Sequence, residues 1–166
     1  MNKINYQKEL DKIIDSLDGR VPTLLLHSCC APCSSYTLEY LSNYFDITVY
    51  YYNPNISPKT EFDKRFGEQK RLIASLPVKH EIKLVEGDYN YSDFSEIAKG
   101  FEDAKEGGER CFRCYKLRLE KSAHLAKEQG FDYFCTTLSI SPLKNSQKIN
   151  EIGLEVAEKY LSLIHI

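Results

Sequence analysis

No part of this 166-residue chain stays apolar long enough to cross a bilayer: the longest run, Val21 to Leu26, falls far short of the roughly 20 residues a spanning helix needs. The segment Met1 to Asp15 interleaves Lys, Glu, Asp and Gln with Ile and Leu, so it lacks the continuous apolar stretch of a signal peptide. A soluble, cytoplasmic protein with no membrane partner is expected. Neither charge sign dominates, since 22 Lys and Arg meet 24 Asp and Glu for a formal net charge of −2, and this removes any overall electrostatic drive toward nucleic acid. Internal repeats, linkers and low-complexity segments are missing, so residues 1–160 are expected to form a single domain, long enough to bury a core without disulfide support. Glycines are also missing from the turn after the first expected strand, and no Walker-type phosphate loop occurs, which disfavours dinucleotide and nucleotide binding.

What is present reads as alternating strands and helices. Leu10, Ile13, Ile14 and Leu17 recur at helical spacing within Asn5 to Leu17, ahead of a strand over Val21 to His27 and a helix over Ser35 to Tyr44. Asp46 to Tyr52 is β-branched and aromatic. A turn-rich stretch follows, ending in Ser57-Pro58, where Ser57 suits a cap and Pro58 the first helical position of a helix carrying Phe62, Phe66, Ile73 and Leu76. A third strand over Lys79 to Val85, a short helix at Ser92 to Lys99, a long helix from Cys111 to Gly130, a fourth strand at Asp132 to Leu138 and a last helix through Ile149 to Tyr160 complete the order. Apolar strands separated by helices imply an α/β fold, a Rossmann-like three-layer sandwich with a mainly parallel sheet of about four to five strands. Ligands bind beyond the C-terminal strand ends of such sheets, and there the sequence places Cys29–Cys33, Asn53–Ser57, Glu86–Tyr91 and Thr136–Ser141.

Five of the six cysteines fall in two groups, His27-Ser28-Cys29-Cys30-Ala31-Pro32-Cys33 and Cys111-Phe112-Arg113-Cys114. In a reducing cytosol they suit metal or redox chemistry better than disulfides. Three chemistries stay open: an iron–sulfur cluster, a structural zinc site, and a thiol–disulfide couple at Cys30 and Cys33. Five thiols exceed the four that closed tetrahedral zinc takes, which points to reactivity. Cys135 lies inside a strand and is expected to pack in the core. His27 is placed to ligate, to relay protons or to bond to sulfur, or else to be a satisfied strand-end residue. His80, His124 and His165 are expected at the surface.

The sequence resembles the QueH-type epoxyqueuosine reductases at Leu25-Leu26-His27-Ser28-Cys29-Cys30-Ala31-Pro32-Cys33-Ser34, at Tyr52-Asn53-Pro54-Asn55-Ile56 with Glu61 and Arg65, at Gly108-Glu109-Arg110-Cys111-Phe112-Arg113-Cys114-Tyr115 with Arg118-Leu119, and at Thr136 to Pro142. These motifs cover nearly the whole chain in order. The resemblance implies reduction of epoxyqueuosine to queuosine at the tRNA wobble position, with a [4Fe–4S] cluster associated with Cys29, Cys30, Cys111 and Cys114. Cys33 is near enough to substitute for one of them or to serve an additional iron. It further implies tRNA carrying epoxyqueuosine as partner and an external electron donor. Deoxygenating an epoxide takes two electrons and two protons, so a proton donor is needed; Asp88, Tyr89 and Tyr91 follow the third strand near the presumed pocket, where one of them, Asp88 first, either supplies a proton or ligates iron, the alternative being ordinary solvated loop residues. For the tRNA, Arg110, Arg113, Lys116 and Arg118 form a basic run without an intervening acid, either an ordinary solvated helix face or an anticodon-stem docking patch. Tyr51 and Tyr52 are expected in the core, with stacking on an extruded base as the alternative.

The family continues into a C-terminal segment with another Cys-Gly-Cys that is not in this sequence, and Leu161-Ser162-Leu163-Ile164-His165-Ile166 reads like a translated sequencing adapter. Residues 161–166 are therefore expected to be an artefactual tail on a truncated chain; in that case cluster binding could survive while turnover is lost. Rival readings are a zinc-stabilised RNA-binding module and a thiol oxidoreductase.

Overall fold

The computed structural model describes residues 4–160 and the backbone of Ile164 and His165. Helix α1 (Tyr6–Ser16) starts where the Asn5 side chain accepts the Lys8 N–H. Strand β1 (Thr23–His27), helix α2 (Ala31–Leu41), strand β2 (Asp46–Tyr51), helix α3 (Lys59–Ser75) and strand β3 (Lys83–Glu86) follow. Helix α4 (Tyr91–Ala98), helix α5 (Glu109–Glu128), strand β4 (Tyr133–Thr136), a 3-10 turn (Thr137–Ile140), helix α6 (Ser146–Tyr160) and strand β5 (Ile164–His165) complete the chain. All pairings are parallel, in the order β3-β2-β1-β4-β5.

The expected α/β three-layer sandwich is what forms. β1 is central and apolar on both faces, as a strand covered by helices on each side must be. Its alternation sends Leu25 into one core with Leu119, Ala123, Ile149, Ile152 and Val156 of α5 and α6, and Leu24 and Leu26 into another with Leu17, Leu38 and Leu41. From β1 the chain winds through α2 and α3 to one edge, then returns through α4 and α5 to β4 on the other side. The crevice where winding reverses thus opens between the C-terminal ends of β1 and β4, with Ser28–Cys30 on one wall and the 3-10 turn on the other.

Several boundaries differ from the sequence reading. α2 begins at Ala31 instead of Ser35, because Pro32 sits in its first turn where a fixed φ favours the helix. Cys29 and Cys30 consequently stay on the turn, while Cys33 rides on the helix. At α3 the N-cap is Pro58, one residue past Ser57, and no side chain caps it. The third strand starts at Lys83 and is an edge strand paired only with β2. The long helix ends as expected at Gly130, whose φ of 72° suits glycine. Tyr51 and Tyr52 are buried, so core packing is their role. His124 is exposed, but His80 is half-buried. Of the expected tail, Leu161 to Leu163, Ile166 and the His165 side chain lie outside the described residues, while the backbone of Ile164 and His165 pairs with Tyr133 and Phe134.

Gly87 closes the β2–β3 strand ends. Its N–H donates to the Tyr51 carbonyl at 2.9 Å, and a Cβ there would stand 2.8 Å from the Tyr52 Cβ and 3.0 Å from the Tyr52 Cα. Neither atom can move without shifting the strand end that carries Asn53. Gly87→Ala should therefore lose about 1–3 kcal/mol of stability in chemical denaturation, the usual range for overpacking. An unchanged midpoint would mean that the strand ends have slack.

Candidate metal centre

The turn after β1 is held from three sides. Ser28 N–H continues the β ladder by donating to the Tyr50 carbonyl at 3.0 Å. Ser34 Oγ donates to the Cys30 carbonyl at 2.8 Å and lies 2.6 Å from Ser28 Oγ, which reaches Gln69 Oε1 of α3 at 2.7 Å. Cys29 N–H donates to Thr137 Oγ1 at 3.2 Å, which ties the turn to the far wall of the crevice.

So fixed, the sulfurs of Cys29, Cys30 and Cys33 all fall within 4.8 Å of one another, with Cys29 and Cys30 at 3.9 Å. Three thiols about a tetrahedral ion at roughly 2.3 Å would stand roughly 3.8 Å apart, so these residues can hold a metal with little movement. Cys111 and Cys114 lie outside this group. Cys111 opens α5 and packs on the same core cluster as Cys29, and Cys114 is buried one turn further on. The two motifs are thus brought to one end of the sheet, while the tight sulfur triangle belongs to the first motif and includes Cys33.

Thiolate character is already favoured at one sulfur. The Cys29 thiol bonds to Cys30 and draws it down to about 7, while that same bond, followed by burial, pushes Cys29 up. Burial pushes Cys33 up. Polar hydrogens also aim at sulfur. Thr137 Oγ1 donates to Cys29 Sγ at 3.4 Å, and Gly107, turned by a φ of 79°, donates its N–H to Cys111 Sγ at 3.3 Å. Bonds of this kind tune metal-bound thiolates.

Arg118 corrects the sequence reading most. Grouped there with a surface patch, it is only 4% exposed: its Nε donates to the Cys114 carbonyl at 3.2 Å and its Nη1 to Asn53 Oδ1 at 3.3 Å, while Asn53 Nδ2 donates to the Ser28 carbonyl at 2.9 Å. One guanidinium therefore bridges the Cys114 turn of α5, the end of β2 and the Cys29 turn. Among the described residues it forms no ion pair with a carboxylate, and a buried cation needs an anion nearby. Its positive charge favours the thiolate of Cys29.

His27 is fully buried with both nitrogens engaged. A backbone carbonyl only accepts, so Nε2–H donates to Tyr52 O at 2.9 Å, and Nδ1 accepts from Thr136 Oγ1 at 2.9 Å. It is a satisfied structural residue, with no nitrogen left to ligate. Asp88 is exposed and stands outside the sulfur group. The Tyr89 hydroxyl donates to the Ile56 carbonyl at 2.9 Å, and Tyr91 is 42% exposed against Phe94. Cys135 is buried, as expected. In the basic run, Lys116 is exposed, Arg113 lies over the Phe101 ring at 3.9 Å and pairs with Glu109, and Arg110 donates to the Glu102 carbonyl at 2.6 Å. Sequence reading gave no role to Thr137, Asn53 or Gly107. Thr137 and Asn53 stand immediately after strands β4 and β2, at the strand ends where such folds bind ligands, and that position was the one available signal.

Clustered thiols at the winding reversal of a parallel Rossmann-like sheet, backed by a buried arginine, define a thiolate-site α/β protein and set it apart from dinucleotide-binding relatives of that architecture. A family profile described as "Epoxyqueuosine reductase QueH" matches residues 24–165. Proteins named epoxyqueuosine reductase QueH are 46% identical in Staphylococcus epidermidis, 42% in Streptococcus pyogenes and 43% in Staphylococcus aureus, each over 95% of this chain. The chain spans 69%, 64% and 68% of those relatives' lengths. It belongs to the epoxyqueuosine reductase QueH family, a family of oxidoreductases.

Burial holds His27 neutral, bringing it down to about 3 from its usual 6.5, with the Arg118 charge as a second cause. Between those values the unfolded chain binds a proton that the folded protein does not, so stability is full above about pH 6.5 and falls as pH drops toward 3. The expected slope is about 1.4 kcal/mol per pH unit. Denaturant titrations from pH 7 to pH 5 should show a shallower loss for His27→Gln. Equal slopes would mean that another group carries the acid sensitivity.

Proposed function

We propose that this chain carries the chemical centre of an enzyme that reduces epoxyqueuosine to queuosine in tRNA, the last step of queuosine synthesis. The observation that carries the reading is the sulfur triangle beside the uncompensated charge of Arg118, in a chain of the QueH family. The donor set fits an iron–sulfur group. Thiolates are its usual ligands, the buried guanidinium suits a net anionic centre, and the Tyr51 hydroxyl, buried and without a hydrogen-bond partner among the described residues, is within electrostatic reach of Cys30 and Cys29. Cys29, Cys30, Cys111 and Cys114 would hold a [4Fe–4S] cluster, which when bound supplies electrons one at a time from an external donor.

The chain's own residues do the remaining work. Arg118, Asn53 and Ser28 hold the two cysteine turns in register, and Thr137 and Gly107 direct hydrogens at sulfur. Asp88 is the proposed proton donor to the departing oxygen, and Arg110, Arg113 and Lys116 the proposed phosphate contacts, with Arg118 withdrawn from that set by its burial. A second reading is favoured by the 3.9 Å separation of Cys29 and Cys30. In it Cys33 joins Cys29 and Cys30 as a ligand, substituting for one of the other cysteines or serving an additional iron.

Anaerobic purification followed by iron, sulfide and zinc analysis with a visible spectrum tests the centre. A brown protein containing iron and sulfide is expected, and a colourless zinc protein would sink the iron–sulfur reading in favour of a zinc-stabilised RNA-binding module. Conversion of epoxyqueuosine to queuosine in tRNA under a strong reductant tests the reaction, with Asp88→Asn expected to lose turnover while keeping the spectrum. For the docking patch, Arg113→Ala with Lys116→Ala should weaken tRNA binding and lower the salt slope by about 2, roughly one for each phosphate that is no longer neutralised. An unaltered slope would return both residues to an ordinary solvated helix face.

A further inference from the structure

The burial of Tyr51 and Tyr52 leaves the sulfur site without an aromatic surface from either of them. Another tyrosine offers one. Tyr36 is 73% exposed, among the largest exposures of any big apolar side chain among the described residues. It follows Cys33 by three residues on α2, a spacing that places two side chains on one helix face with Cβ atoms about 5–6 Å apart. Helical side chains lean toward the N-terminus, which carries the ring toward Cys33. One face of the ring stacks on Tyr40, with centroids 6.0 Å apart and planes 16° from parallel, and Tyr40 in turn meets the Tyr44 ring edgewise at 5.5 Å. The ladder gives the largely exposed Tyr36 ring a preferred orientation.

The surroundings match nucleic acid. Tyr36 and the 54% exposed Ile140 line a cleft of about 560 Å³ between α1, α2, the 3-10 turn and α6, whose walls also carry Gln147 and Asn150. Lys144, half-buried on the loop after the 3-10 turn, acts electrostatically on Cys33, three residues before Tyr36. A flat ring with one face open, on the helix that carries Cys33 and with an ammonium group acting on that cysteine, is the kind of surface that single-stranded nucleic acid meets in its binding grooves.

We propose that Tyr36 is a stacking platform for an unpaired base of the tRNA anticodon loop, next to the base presented to the sulfur site. This rests on the tRNA reading given above. A base is favoured over an apolar protein partner because the ring is held parallel to a second ring and the charge of Lys144 reaches Cys33 on the same helix.

The chain has no tryptophan, so Tyr36→Trp would carry the sole indole and report stacking directly. An anticodon stem-loop RNA should bind the Trp variant and quench it. A Val21→Trp reporter, exposed just before β1 at the opposite end of the strands, should bind the same RNA without quenching. By fluorescence anisotropy with a labelled hairpin, Tyr36→Ala should bind roughly tenfold more weakly, the size of one missing stack. Its salt slope should be unchanged, because no phosphate contact is removed. Tyr36→Phe should bind like the wild type, and the stem alone, as a duplex without the loop, should not distinguish Tyr36→Ala from the wild type. Wild-type binding with an equally tight Tyr36→Ala variant, or quenching of both indoles alike, would overturn the platform and leave the tRNA reading intact. A wild-type chain that binds no hairpin would overturn the tRNA reading and the platform with it.

Discussion

A guanidinium buried among neutral partners is the constraint around which this molecule is arranged. Arg118 donates to the Cys114 carbonyl and to Asn53, and Asn53 donates to Ser28, so a helix, a central strand end and the first cysteine turn share one hydrogen-bonded path. Removing a cation from water is expensive unless opposite charge is close, and replacing a partner in such a site usually destabilises strongly. Here the nearby groups able to become anions are thiols. The cation therefore secures the two cysteine turns against each other and eases the ionisation of Cys29 against the opposing effect of burial, so that fold and site share one residue.

Around that path the parallel sheet supplies rigidity. Buried Leu24, Leu25 and Leu26 fix β1 between two helical layers, and His27 ends it with both ring nitrogens bonded, one to β4 and one to the chain leaving β2. Thr136 serves twice in this arrangement, donating to His27 and accepting from the Leu138 N–H. Because the strand ends are so fully bonded, the turn beyond them is held in place while Cys29, Cys30 and Cys33 stay only partly buried. A reactive sulfur group needs both conditions: geometry set by rigid neighbours and access for a large substrate.

The surface divides into two regions of different physical character. On α5, Arg110 and Arg113 are tethered by a carbonyl, a carboxylate and an aromatic ring, and Lys116 is exposed. Exposed pairs of this kind add little stability and leave the charge available to a polyanion. On α2, the tyrosine ladder presents apolar area with a defined orientation. Charge gives affinity without selectivity, and an oriented ring selects unpaired bases over duplex.

The layer architecture was legible in the amino-acid pattern alone, because strands apolar on both faces, separated by helices of period 3.6, leave few ways to bury both. That pattern also marked two clustered cysteine motifs at expected strand ends as the candidates for chemistry. Leu25, Leu119 and Ile152 were legible from spacing alone, and so was Cys135 as core. Arg118 was not, because its place in a basic run says nothing about which face of α5 turns inward at that point, and only packing against the ends of β1 and β2 buries it. The grouping of Cys33 with Cys29 and Cys30, the saturation of His27 and the exposure of Tyr36 were likewise settled by tertiary structure. Each depends on which atoms from distant segments occupy the remaining space, and local sequence patterns carry no record of that.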